Sequence, residues 1–528
     1  MAERFAANLK GAWSRAVAAA REGIRREPVF VAAFVILWIC AMVPIWAPRF
    51  LPLLDMPDHL DAIAIWHRYR NESWGYSKYY ELNLIPLPYW GYFLPVHLLS
   101  YLMPIEIANK VYLSAYALLL PLSTAMLARQ MGRSHWLSLF AFPLVFNMNF
   151  SYGFITFCAG LVVLTFALVV LDRFLEAPTS RRGWALALLS ILLYLTHILP
   201  WMFFGVASVV LVFGHGWHPR RIAVAAALEV PSLLLALYGF HKSEGITAVQ
   251  SGPFAYDAKK EQLINSLQEV PLRVVAGWPG NTAYWIVIGL GLLWLALLLS
   301  ARTDAADSEA RRSGWPYRLE LVALLAVAAY LFLPMHMFKP VDLWMIGGRF
   351  LTVVALYGAL LPHGPIVGKR RLLLIGVFLI AAFYPLALTR KWLQFDHRAA
   401  GFRRLMHRVE RGSSTLTLVL GDAEDVSVDP QAVPYLQFHA YAQYLAGGFD
   451  PWALDTGFPY VRKPGTGFPA PRWKHPETFT FDQHGIHYDY ILTKGEWTDH
   501  AIFGPDDSGR APLIAQDGDW RLYAVGQR

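Results

Sequence analysis

A run of apolar residues from Val29 to Trp46, repeated in kind along most of the chain, limits what this sequence can become. About 18 to 20 consecutive apolar residues, wound as a helix, match the roughly 30 Å hydrocarbon core of a bilayer. The charge content agrees. Only 16% of the 528 residues are charged and 56% are hydrophobic, whereas a soluble domain carries about 25% charged residues. These proportions exclude disorder, collagen-like repeats and nucleic-acid binding, despite a net charge of +8. The excess of Lys and Arg follows from membrane topology, which sorts positive charge to the cytoplasmic side. Cys40 and Cys158 are the two cysteines, each inside an apolar run, so there is no disulfide framework and no thiol zinc site. The sequence therefore predicts a polytopic α-helical membrane protein.

Basic residues set the sidedness. Residues 1–27 mix apolar residues with Arg4, Lys10, Arg15, Arg21, Arg25 and Arg26, a basic amphipathic start that favours a cytoplasmic N-terminus. Arg129 and Arg133, then Arg173, Arg181 and Arg182, then Arg220 and Arg221, then Arg302 to Arg318, then Lys369 to Arg371 mark five further cytoplasmic turns. Keeping all of them inside predicts about eleven crossings. After the first they fall near 107–128, 135–149, 153–172, 184–197, 200–214, 222–240, 283–300, 319–335, 350–362 and 372–388. The stretch 86–104 holds Pro88, Pro95 and His97 and is expected to lie in the outer interface. A transmembrane domain then covers 28–389, with outer segments 48–106, 241–282 and 336–349. Residues 390–528 form a small extracytoplasmic α/β domain. Its expected elements are a helix over 403–411, a strand over 415–420, a helix over 432–446, and strands over 488–493 and 520–525.

The densest polar motif is Asp55-Met56-Pro57-Asp58-His59-Leu60-Asp61, just beyond the first span. Pro57 predicts a turn there, with a helix capped by Asp58 following. Asp55 then projects from the turn, where apolar walls raise its pKa and suit it to accept a proton from a hydroxyl. The plain alternative is a helix cap with ordinary interfacial charges. Asp55, Asp58 and His59 together are also a candidate site for a hard divalent cation.

Other polar residues fall on the same expected face. His197 lies between two short spans, either as a binding group or as a cap on broken backbone. His336, Lys339, Asp342 and Arg349 share an outer loop that breaks the positive-inside pattern. Arg349 either pairs with a phosphate, with Gly347 and Gly348 allowing close approach, or reaches lipid headgroups. Asn147 and Asn149 offer amides to sugar hydroxyls or merely close a turn. The 241–282 segment is a lid or a plain loop.

An Asp motif in the first outer loop followed by Pro86-Leu87-Pro88-Tyr89-Trp90 resembles the GT-C superfamily of integral membrane glycosyltransferases. The spans ending Leu127-Ala128-Arg129-Gln130-Met131-Gly132 resemble its early helices. The Asp-Met-Pro-Asp-His form, the Phe146 to Phe154 turn and Thr196-His197-Ile198-Leu199 resemble bacterial members. The resemblance implies transfer of a sugar from a polyprenyl-phosphate donor to a glycan, lipid or protein acceptor, at the periplasmic face of a bacterial inner membrane. It implies Asp55 as base and Arg349 as the holder of the carrier phosphate. The sequence lacks the Asp-x-Asp pair of metal-dependent relatives. A secondary transporter or flippase for a lipid-linked saccharide is the competing reading, and no inverted repeat supports it.

Overall fold

The computed structural model describes residues 22, 25–216, 218–243, 254–255, 274–275, 282–300, 316–337, 343–420, 433–454, 458–495 and 510–526. The basic start over residues 1–21, most of the 241–282 segment, and Lys339 and Asp342 lie outside them.

The first span is α1 (Pro28–Trp46), with Pro28 in the first turn, where its missing N–H costs nothing. The segment between the first and second long helices follows: α2 (Met56–Arg68), β1 (Tyr80–Leu82) and α3 (Trp90–Leu99). At ten residues, about 15 Å by helical rise, α3 is too short to cross a bilayer. Next come α4 (Ile105–Gln130), a one-turn α5 (Met148–Ser151), α6 (Ile155–Glu176), α7 (Ser180–Thr196), α8 (Ile198–Gly214) and α9 (Pro219–Ser243). Then α10 (Thr282–Leu299) and α11 (Arg318–Phe332) lead through a three-stranded ribbon to α12 (Ile346–Gly358). The ribbon is antiparallel and consists of β2 (Phe254–Ala255), β3 (His336–Met337) and β4 (Leu343–Trp344). Among the described residues, six helices are long and apolar enough to cross a membrane, α1, α4, α6, α9, α10 and the later α13, and α8 and α12 are shorter apolar helices. The chain is a membrane-embedded helical protein.

Helix α6 is apolar on every side and accordingly sits inside, packed on α4, α7 and α8. By contrast α9 and α10 leave Leu234, Leu237, Trp285 and Leu292 exposed, surface that lipid covers. The crossing expected over 135–149 is not a helix. Residues His135–Ala141 and Pro143–Phe146 form short 3-10 turns, buried within the bundle. Pro143 removes a backbone donor there, and irregular backbone at depth is tolerated where protein surrounds it.

One end of the bundle collects the basic residues. Asp172, near the far end of α6, forms an ion pair with Arg318, accepts from its Nη2 at 3.2 Å, and bonds His215 (2.8 Å) and Gln130 (2.7 Å), and so ties α6 to α11, α8 and α4. Arg133 pairs with Glu320 at the same end. The opposite end of α6, about 33 Å away by helical rise, carries the Asp55 motif.

Helix α13 (Lys369–Met406) runs without a break across residue 390, so of the expected helix over 403–411 only Arg403–Met406 is helical, as its last turn, and residues 407–411 are turn and loop. Beyond it lie β5 (Thr415–Val419), α14 (Phe438–Ala446), β6 (Tyr460–Arg462), β7 (Tyr490–Lys494), β8 (Leu513–Asp517) and β9 (Trp520–Ala524). The sheet order is β5-β7-β9-β8, with β5 and β7 parallel and the other pairs antiparallel. Of the expected helix over 432–446, only Phe438–Ala446 is α-helical; Pro434–Gln437 is a 3-10 turn, and Ala432 lies outside the described residues. The C-terminal part is bound to the segment around α2 rather than hung from α13. Strand β1 pairs antiparallel with β6, α14 packs on α2, and the Arg68 and Arg411 guanidinium groups both lie over the Trp74 ring, at 4.0 and 4.8 Å.

Candidate active site

Two loops make the site, joined by backbone. Leu54 N–H donates to Ser151 O and Asp55 N–H to Tyr152 O, each at 3.0 Å. The Asp55 turn is thereby fixed on the Asn147–Tyr152 turn. Helix α2 starts at Met56, with Pro57 in its first turn and Asp55 in the cap position. The expected cap at Asp58 is thus corrected. Pro is well suited to a first turn, where its absent N–H has no helical partner. The Asp55 side chain caps nothing, so it is available for other work, and it is part-buried rather than sealed.

Leu54, Met148, Tyr152 and Met345 form an apolar cluster around this turn. Burial pushes the Asp55 carboxyl up to about 7; Arg349, a hydrogen bond from Gln437, and Lys474 hold it from rising further. Lys474 is an exposed residue whose amine, partly desolvated, lies below the usual lysine range, with the Asp55 charge opposing. Lys474 sits at φ 66, a left-handed conformation that non-glycine residues rarely adopt and that often marks a functional site.

Arg349 is in the first turn of α12 and is 6% exposed. Its guanidinium lies 3.7 Å from the centre of the Phe154 ring. One nitrogen donates to Trp344 O at 2.9 Å, and Nη1 faces His197 Nε2 at 3.2 Å. His197, fully buried between α7 and α8, accepts the Leu199 N–H on Nδ1 at 3.1 Å. A neutral imidazole has one acceptor nitrogen, so the Leu199 N–H at Nδ1 and the Arg349 N–H at Nε2 compete for it. An anionic oxygen reaching the guanidinium would relieve that competition. The Tyr89 ring packs 5.4 Å from His197.

Several expected ligands have other work. Asn147 caps α5, and its amide donates to Leu144 O at 2.8 Å. Asn149 donates to Thr352 Oγ1 at 2.9 Å and to Arg349 O at 3.2 Å. Both are fully buried, so they build the turn and seat α12 instead of meeting a sugar. Gly347 likewise serves packing. A Cβ there would stand 3.0 Å from Leu333 O, and its N–H bonds Pro334 O. His336 lies in the ribbon opposite Trp344.

The divalent-cation reading does not fit. His59 Nε2 bonds Gly153 O at 2.9 Å, its ring stacks on Phe458, and burial lowers its pKa to about 4. Asp58 and Asp61, 2% and 1% exposed, are held well above the usual carboxylate range. Burial is the main cause in both, with Asp55, Asp450 and Asp61 adding to it for Asp58, and Asp450 for Asp61. A protonated carboxyl is a poor ligand. Among the described residues, no group of three or more His, Cys, Asp or Glu is arranged to hold a metal.

Sequence reasoning missed Gln437 and Lys474, which come from the C-terminal part, and Phe154 beneath Arg349. No linear pattern marks the first two.

No protein-family model matches the sequence, and no curated protein does. Among solved structures the chain is similar to the arabinofuranosyltransferase AftD from Mycobacteria, at 14% identity and a TM-score of 0.47. That alignment covers 95% of this chain but spans only 42% of the AftD chain. It is also similar to ArnT from Cupriavidus metallidurans bound to undecaprenyl phosphate, at 13% identity and a TM-score of 0.46, covering 96% of this chain and 100% of that one. The apo state of ArnT gives 12% identity and 0.45.

Proposed function

We propose that the protein is a GT-C-type membrane glycosyltransferase that moves a sugar from a polyprenyl-phosphate donor to a hydroxyl acceptor at the outer, periplasmic face. The reading rests on one juxtaposition: the Asp55 carboxyl and the buried Arg349 guanidinium lie within electrostatic reach of each other. Asp55 takes the proton of the acceptor hydroxyl. The acceptor oxygen forms its bond to the anomeric carbon as the carbon–oxygen bond to phosphate breaks, with inversion. The electron pair leaves on the phosphate, whose charge Arg349 holds. A leaving group already anionic needs little general acid, so one carboxylate suffices.

Position supports transfer over transport. These groups lie at the end of α6 away from the Asp172–Arg318 network, whereas transporters place ionisable groups near the midplane. The Arg-rich end is the cytoplasmic one by charge, which favours an outer site.

Two results test this. With Asp55 ionising near 7, transfer should fall about tenfold per pH unit below that midpoint and level off above it. A rate that rises as pH falls would assign Asp55 to a proton-donating role instead. Arg349→Ala should weaken binding of undecaprenyl phosphate in detergent by about tenfold or more, the value of a charge-assisted hydrogen bond. Unchanged affinity would remove Arg349 from the phosphate site.

A further inference from the structure

The Asp55 turn and the first turn of α12 are bridged by the Asn149 side chain. Asn149 is fully buried in α5, the one-turn helix whose last residue, Ser151, and cap residue, Tyr152, accept the Leu54 and Asp55 N–H groups. Its amide nitrogen donates to Arg349 O at 3.2 Å and to Thr352 Oγ1 at 2.9 Å. Its backbone carbonyl accepts the Phe154 N–H at 2.9 Å, and the Phe154 ring lies 3.7 Å from the Arg349 guanidinium. Asn149 therefore holds Arg349 twice, at the main chain through its amide and at the side chain through Phe154.

The bonds dictate the residue type. A carbonyl only accepts, and one within a helix keeps a second lone pair, so the NH2 end of the amide must face Arg349 O. Asn149 Oδ1 is then left buried without a hydrogen bond. An amide half-satisfied in a closed core is costly, and packing alone would favour an apolar residue there. Asn147 differs: its nitrogen bonds Leu144 O and its oxygen accepts the Phe150 N–H, so its amide stays within the turn. The start of α12 is otherwise tied by backbone to the end of α11, where Ile346 N–H bonds Met335 O and Gly347 N–H bonds Pro334 O. Apolar contacts of Met345 with Leu54 and Tyr152 also join α12 to the Asp55 turn. Such contacts are non-directional, whereas a hydrogen bond fixes the register of one element on the other.

We propose that Asn149 is a positioning residue for sugar transfer, its amide setting how far the Arg349 guanidinium stands from the Asp55 carboxyl. This deepens the reading of the site given above and rests on it. In an inverting displacement the acceptor oxygen, at Asp55, and the departing phosphate, at Arg349, lie on opposite sides of the anomeric carbon. The rate then depends on the separation of the two groups, while binding of the phosphate depends on Arg349 alone.

The test compares Asn149→Leu, which conserves volume and removes both bonds, with Thr352→Val, which removes only the bond between Asn149 and Thr352. Turnover with a lipid-linked sugar, affinity for undecaprenyl phosphate and thermal midpoint are measured on each purified protein. A misplacement on the order of 1 Å costs roughly 10²-fold in rate, so kcat of Asn149→Leu should fall by about that factor. Its KM for the donor and its affinity for undecaprenyl phosphate should stay within about threefold of wild type, as should every property of Thr352→Val. Asn149→Ser, too short to reach Arg349 O, is the second variant and answers for a leucine that fails to pack. Wild-type kcat in either folded Asn149 variant overturns the proposal. So does a joint loss of turnover and affinity that Thr352→Val reproduces, which marks a packing role. Asp55→Asn separates this from the underlying reading. If that variant turns over normally, the base assignment fails and the proposal with it; if it is inactive while Asn149→Leu is not, only the positioning fails.

Discussion

Asp55→Asn is expected to cut sugar transfer by about 10²- to 10⁴-fold, the usual contribution of a positioned general base, while the folded protein still binds a polyprenyl phosphate. The substitution is nearly isosteric and removes only the ability to accept a proton. The Asp55 backbone N–H, which holds the turn to Tyr152 O, is retained. The side chain caps no helix, so α2 loses nothing. Arg349 keeps Phe154 beneath it and its bond to Trp344 O, which leaves the proposed phosphate-binding group in place. The informative measurement is therefore a pair: turnover with a lipid-linked sugar, and affinity for undecaprenyl phosphate. Turnover within a few-fold of wild type would remove Asp55 from the chemistry. Lost affinity with lost turnover would make it a binding group.

What the linear sequence revealed divides along physical lines. Asp55 and Arg349 drew notice because each is costly where it stands, a carboxylate just past a span and a guanidinium in an otherwise apolar stretch, and the structure part-buries the first and buries the second. Most helices were legible because burial in lipid demands long apolar runs. The segment over 135–149 was misread as a span because hydropathy registers burial and not backbone geometry, and protein buries it as well as lipid would. Asn147 and Asn149 look identical as letters whether an amide faces a ligand or the chain's own carbonyls; only the fold assigns them to the turn. The carboxylates Asp58 and Asp61 suggested a metal because sequence counts donors without seeing that His59 is committed to Gly153 and that burial suppresses ionisation. Gln437 and Lys474 approach Asp55 across some four hundred residues of chain, and nothing local in their neighbourhoods distinguishes them.

The same geometry makes a glycine outside the chemistry decisive. Gly153 has φ +82, and a Cβ added there would lie 2.7 Å from Asp55 N and 3.0 Å from Asp55 Cβ. Those are atoms of the Asp55 turn itself, not the yielding tip of a long side chain. Gly153 has little room to move away. Its N–H bonds Phe150 O at 3.0 Å, and its carbonyl accepts from His59 at 2.9 Å. Gly153→Ala therefore relieves the clash by shifting Asp55. A displacement on the order of 1 Å at a reacting group costs roughly 10²-fold in rate, and kcat should fall by about that factor. Gly132→Ala is the matched control. Gly132 has φ +69 with nothing within 4 Å of its added Cβ, so it bears only the left-handed backbone penalty of about 1–2 kcal/mol at the far end of the bundle. If detergent-extracted, folded Gly153→Ala turns over as fast as Gly132→Ala, then the spacing between the two loops does not set the position of the base. In that case the platform joining Asp55 to the Asn147–Tyr152 turn would be scaffolding alone.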